Sequence, residues 1–155
     1  KGDFMPQSTR QSPPKPPPTG GGVSIKAIEG IGNVYAAKIR KAGVRTTATL
    51  LQKGSTPEDR RSLAKATGIT PKLILEWVNR ADLFRVKGIG TQYSDLLEAA
   101  GVDTVVELSK RKPEALFTSL ARANAQKNLV NQLPGLSQVE AWVKHAKSLK
   151  RVVKY

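Results

Sequence analysis

From Val23 onward, apolar residues recur every three or four positions and no stretch alternates strictly between apolar and polar. Helical periodicity without the two-residue period of strands predicts an all-α fold. Two windows carry the pattern most clearly. Ile74, Trp77, Val78 and Ala81 share one face of a helix, as do Val139, Trp142, Val143 and Ala146, and an apolar face of that width packs against a core. Both tryptophans are therefore expected inside the protein, not stacked on a base.

Local punctuation sets the expected helix boundaries. Thr56-Pro57-Glu58-Asp59 combines a capping hydroxyl, a proline at the first helical position and acids in the first turn, and Thr70-Pro71 and Lys112-Pro113-Glu114 repeat the proline signal. Ser137 with Glu140 has the spacing of a capping box, and Asp103 is placed to cap the helix of "VDTVVEL". Gly43, Gly54, Gly68 and Gly101 are expected to close helices in the left-handed conformation.

The chain is written twice. At an offset of 58 residues Gly30 falls on Gly88, Gly32 on Gly90, Tyr35 on Tyr93, and Gly43-Val44 on Gly101-Val102, while Trp77 falls on Trp142 at an offset of 65. The difference, 65 − 58 = 7, puts about seven extra residues in the second copy, around "LARANAQKN". Residues 23–82 and 83–155 form the two repeats, the latter with a basic C-terminal helix. Residues 1–22, "KGDFMPQSTRQSPPKPPPTGGG", hold most of the prolines and read as an extended linker or arm, with a protein partner as an alternative use.

Each copy places a short apolar helix (Ile25, Ile28; Leu83, Val86) before Gly-Ile-Gly and an amphipathic helix after it, opening at Asn33 or Thr91. The first glycine permits a positive φ as one helix ends, the isoleucine plugs the space between helices, and the second glycine leaves the turn unobstructed. Backbone N–H groups of the next helix then point outward at the positive end of its dipole, a site for phosphate that carries no sequence information. "GIT" at Gly68–Thr70 and "GLS" at Gly135–Ser137 read as degenerate versions that serve packing, so each repeat holds one full and one degenerate hairpin, as in a pseudo-twofold pair sharing a core.

Gly-Ile-Gly with a following Tyr, Gly-Val about a dozen residues on, and "EWVNRADL" leading into a second copy resemble a family of tandem helix-hairpin-helix domains of unknown function, over about residues 23–150. The resemblance implies a relative of DNA-repair and recombination modules.

Charge sharpens the picture. Twenty-six Lys and Arg against 12 Asp and Glu give +14, which favours a polyanion, DNA or another nucleic acid, or else marks a basic subunit of an assembly. The candidate contacts are Gly30, Ile31, Gly32 and Asn33 with Lys26, Lys38, Lys41 and Arg45, then Gly88, Ile89, Gly90 and Thr91 with Lys87, and the basic end at Lys144, Lys147 and Arg151. The first turn ranks higher, because Asp95, Glu98, Asp103 and Glu107 follow the second and repel phosphate. Val34 and Gln92 stand where many DNA-binding hairpins have Lys or Arg.

Nothing in the chain assembles a catalytic or metal constellation. There is no cysteine, which removes thiolate chemistry and fits a reducing intracellular compartment such as cytoplasm or nucleoid. In hairpin-bearing DNA glycosylases a catalytic Lys follows the turn, and here that position is Gln92. Tyr35 and Tyr93 occupy equivalent places and read as packing residues, and the lone His145 reads as a surface residue. No cofactor is expected. No apolar run reaches the roughly 20 residues that span a bilayer.

Overall fold

A computed structural model describes residues 22–155, so the Pro-rich arm lies outside the described residues but for Gly22. A 3-10 turn at Ile25–Ala27 precedes eight α-helices: α1 (Asn33–Lys41), α2 (Thr47–Gly54), α3 (Pro57–Thr67), α4 (Pro71–Leu83), α5 (Thr91–Ala99), α6 (Val105–Ser109), α7 (Pro113–Lys127) and α8 (Leu136–Ser148). The fold is all-α, with no strand among the described residues and a single isolated bridge between Ser24 and Thr46. No described helix is long and apolar enough to cross a membrane.

Threonine hydroxyls start four of these helices: Thr46, Thr56, Thr70 and Thr104 each accept from a backbone N–H three residues on. Such a cap contributes about 1 kcal/mol. Three boundary expectations fail. Helix α8 begins one residue ahead of Ser137, with Gly135 at the cap position and no side-chain bond, so the capping box does not form. Asp103 yields its role to Thr104, whose hydroxyl is one residue nearer the first-turn amides. Gly54, the last residue of α2, does not take the left-handed conformation: it is buried, an added Cβ would come within 2.6 Å of Val78 Cγ2, and its missing side chain serves the close approach of α2 to α4. Gly43, Gly68 and Gly101 do adopt positive φ.

Each repeat buries its own apolar cluster. Ile25, Ile28, Ile39, Leu50 and Trp77 form the first with their neighbours, and Leu83, Val86, Leu96, Leu97 and Trp142 the second. Polar bridges also join the halves: Arg80 of α4 pairs with Asp95 and Glu98 of α5, and buried Asp82 accepts from the Val105 N–H at 3.0 Å and from Arg85 at 2.7 Å. Asp82 thus anchors the start of α6.

The extra length of the second copy lies partly in α7, 15 residues against 11 in α3, and partly in the loop 128–135 that replaces Gly68–Thr70. Asn128 ends α7 at φ 51°, and the Asn124 carboxamide organises the loop by accepting from the Leu129 and Val130 N–H groups at 2.7 and 2.9 Å. Because α8 starts after this longer loop, Gly135 has φ −74° and is no counterpart of the positive-φ Gly68, so the second degenerate turn is not built like the first. Helix α8 stops at Ser148, and Lys150, Arg151 and Lys154 continue in a non-helical segment that returns to the first half, with Val153 buried in the first core.

Candidate nucleic-acid interface

The two Gly-Ile-Gly turns are built alike. Gly30 and Gly88 have φ +96° and +91°, a region that costs a residue with a Cβ about 1–2 kcal/mol. The Ile31 and Ile89 N–H groups close the turns onto the Ile28 and Val86 carbonyls at 3.2 and 3.1 Å, and both isoleucines are buried. An aromatic pair supports each turn. Tyr35 meets Trp77 with ring centroids 5.1 Å apart, and Tyr93 meets Trp142 at 5.2 Å. The indole nitrogens lie under the first glycines, Trp77 Nε1 at 3.7 Å from where a Gly30 Cβ would stand and Trp142 Nε1 at 3.1 Å for Gly88.

Helices α1 and α5 follow with glycine at the cap position and no side-chain cap. The first intrahelical bonds are Ala36 N–H to the Gly32 carbonyl and Ser94 N–H to the Gly90 carbonyl, both 2.9 Å. The three amides ahead of each therefore have no partner within their helix, and the helix dipole adds partial positive charge there.

Surroundings separate the two turns. At the first, Gly32, Asn33 and Val34 are exposed and Lys26 Nζ donates to Asn33 Oδ1 at 2.6 Å, while the first helical turns of α1 and α5 alike hold no acid. At the second, the Thr91 hydroxyl donates to the Ala27 carbonyl at 2.6 Å and the Lys87 N–H donates to His145 Nδ1 at 3.0 Å, so neighbouring elements hold both flanks. A crevice beside the start of α5 collects Glu29, Asp95 and Glu98 with Arg80 and Lys127. Burial pushes the Asp95 carboxyl above its ordinary range, Glu29 and Glu98 add to that, and Arg80 opposes it.

The candidate cations spread over three regions. Only Lys26 reaches the first turn through a direct contact. Lys38 and Lys41 sit in the last turn of α1, about 7–12 Å along the axis from Asn33 at 1.5 Å per residue. Arg45 is exposed and its carbonyl accepts from the Ile25 N–H at 3.1 Å. No described carboxylate pairs with Lys26, Lys38, Lys41 or Arg45. Lys144 and Lys147 are exposed on α8, the helix that supplies His145 to the second turn. Arg151 is drawn away, its Nε donating to the Val153 carbonyl at 3.2 Å and its guanidinium 5.9 Å from the Tyr155 ring.

A family model described as a domain of unknown function, DUF4332, matches residues 29–149, well over half of the chain. The chain belongs to the DUF4332 family. No curated protein and no solved structure matches it. The DUF4332 segment takes in both turns and both Tyr–Trp pairs, and leaves outside it Lys26 and the segment after Leu149.

Sequence reasoning passed over Arg80, Asp82 and Arg60, the polar residues that join distant parts of this DUF4332 domain. Their partners lie 15 to 94 residues away, beyond any periodicity or capping signal. His145 is partly exposed, and nothing local in the sequence signals that its Nδ1 accepts from the Lys87 N–H beside the second turn. Among the described residues no group of three or more His, Asp or Glu is placed to hold a metal ion.

Proposed function

We propose that this DUF4332 domain is a non-enzymatic, sequence-independent nucleic-acid-binding or scaffolding module, and that its two Gly-Ile-Gly turns are helix-hairpin-helix units. The observation that carries this reading is the open start of α1: uncapped, free of acids in its first turn, and flanked by Lys26 on Asn33. Amides at a helix N-terminus favour phosphate without reading bases, and a formal charge of +14 draws a polyanion toward them. The second turn is a weaker phosphate site, since Asp95 and Glu98 stand on its own helix, although Glu29 and Glu98 also line a crevice at Gly30.

Titrating the full chain against a labelled random-sequence duplex, by anisotropy from about 50 to 200 mM salt, tests this directly. Each phosphate neutralised adds about −0.9 to the log–log slope, so about four contacts give a slope near −3.6. Absence of binding at the lowest salt would end the nucleic-acid reading. The second reading, a protein-interaction subunit, draws on Val34, an apolar residue 68% exposed beside the first turn; it then takes over.

A further inference from the structure

Beyond the turns, the first half holds the non-helical segment 152–155 against its surface. What holds it is the end of α2 at Ser55, Arg60 of α3 and Asn79 of α4. Arg60 is only 5% exposed, and its guanidinium is held by main-chain carbonyls rather than by a carboxylate: Nη1 donates to the Gly54 carbonyl at 2.8 Å and Nη2 to the Lys154 carbonyl at 2.7 Å. The Lys154 N–H donates to the Ser55 carbonyl at 2.7 Å. Val153 enters the first core at 3% exposure, and the Tyr155 hydroxyl bonds Asn79 Oδ1 at 2.9 Å.

These contacts define a ligand. Two hydrogen bonds fix the main chain at Lys154, a branched aliphatic side chain is buried just before it, and a tyrosine follows. Emptying the groove would give up both hydrogen bonds of Lys154 and the burial of Val153 in the first core. The occupant in this structure is tethered to the other half, where Arg85 Nη2 donates to the Lys150 carbonyl at 2.6 Å. Only Leu149 to Val152 separate the end of α8 from the buried valine.

We propose that this groove is a peptide-binding site, filled in cis by Val152–Tyr155 and able to take the same segment from a second copy, so that chains link by exchanging it. Recognition rests on main-chain groups, one valine and one tyrosine, all of which a second copy presents identically. A short tether gives the cis segment an effective concentration on the order of millimolar. Exchange therefore needs the strap released first.

The probe is a fluorophore-labelled synthetic peptide of residues 149–155, titrated by anisotropy against full-length chains. Val153→Asp releases the strap; Lys154→Pro does so through the backbone alone, removing the N–H that meets Ser55, and serves if the aspartate prevents folding. The peptide should bind the released chain at micromolar concentration and the unaltered chain at least about tenfold more weakly, because the cis segment competes. Adding Arg60→Ala should abolish binding, as should Val153→Asp within the peptide. An equimolar mixture of Val153→Asp and Arg60→Ala chains should run as a heterodimer by light scattering. The site is refuted if neither released chain binds the peptide while its helical circular dichroism is intact, or if the altered peptide binds equally well. Exchange between copies is refuted if the peptide binds but the mixture stays monomeric.

Discussion

The two halves share a turn, an aromatic pair beneath it and an uncapped helix after it, yet they leave those helix starts in opposite states. In the first half the start of α1 faces solvent beside Lys26; in the second the start of α5 is tied to the Ala27 carbonyl, flanked by the contact to His145 and bordered by carboxylates. A repeated backbone device therefore does not imply a repeated site. Chemistry at such a turn depends on what the rest of the fold brings up to it.

Replacing the first glycine of each turn probes what the halves have in common, and carries the largest expected effect. Gly30→Ala should destabilise by about 1–2 kcal/mol, the cost of a left-handed conformation. Gly88→Ala should cost more, since its Cβ would stand 3.1 Å from Trp142 Nε1, against 3.7 Å for the first copy, and a buried tryptophan has little room to move. Urea unfolding of both variants measures the difference; equal losses would mean that the aromatic supports are not the tighter constraint in the second half.

The second glycine probes where the halves differ. Neither Gly32 nor Gly90 has positive φ or a heavy atom within 4 Å of an added Cβ. An aspartate fits at both and should alter stability by only a few tenths of a kcal/mol, since aspartate caps a helix as readily as glycine or better. Its carboxylate would occupy the first-turn amides and repel phosphate. Gly32→Asp should weaken duplex binding at least about tenfold, equivalent to roughly 1.4 kcal/mol, and Gly90→Asp by less than about threefold. Equal effects, measured by the same anisotropy titration, would erase the ranking of the two turns.

The smallest effect concerns the acids of the second half. Burial first, and then Glu98 and Glu107, raise the Asp103 carboxyl above its ordinary value. A carboxyl raised in the folded state favours its protonated form there, so this stabilisation is present at low pH and lost as pH rises through the folded pKa. At neutral pH the charged Asp103 is a net cost. Asp103→Asn should therefore raise the thermal midpoint slightly at pH 7, and the gain should vanish below the unfolded carboxyl value of about 3.9. A gain that persists at pH 3 would show that the charge is not its source.

Helical periodicity, the Thr-Pro starts at Thr56 and Thr70, and the Gly-Ile-Gly turns were all legible in the sequence because each is set within a few residues. The pairing of Tyr35 with Trp77 and of Tyr93 with Trp142 was half legible: matched positions pointed to packing without revealing the partners. Gly54 misled because a glycine at a helix end and one at a helix crossing look alike in one dimension. Ser137 and Glu140 misled because the capping spacing recurs inside a helix whose start was set by the preceding loop. Lys144, Lys147 and Arg151 read as one basic helical run, and the end of α8 at Ser148 divided them.

What the sequence determined by itself is the architecture of each half, because the helix period and the conformation of a glycine turn follow from short-range sterics and burial. Only the tertiary structure decided which helix start lies open, that Lys26 is the candidate cation in contact with it, and that residues 152–155 pack against the first half. Those outcomes hang on Arg80, His145 and Arg60 meeting partners 15, 58 and 94 residues away. The reason is physical: a hydrogen bond or ion pair between distant residues exists only after burial of the two cores has brought its partners together, and no local preference encodes that distance.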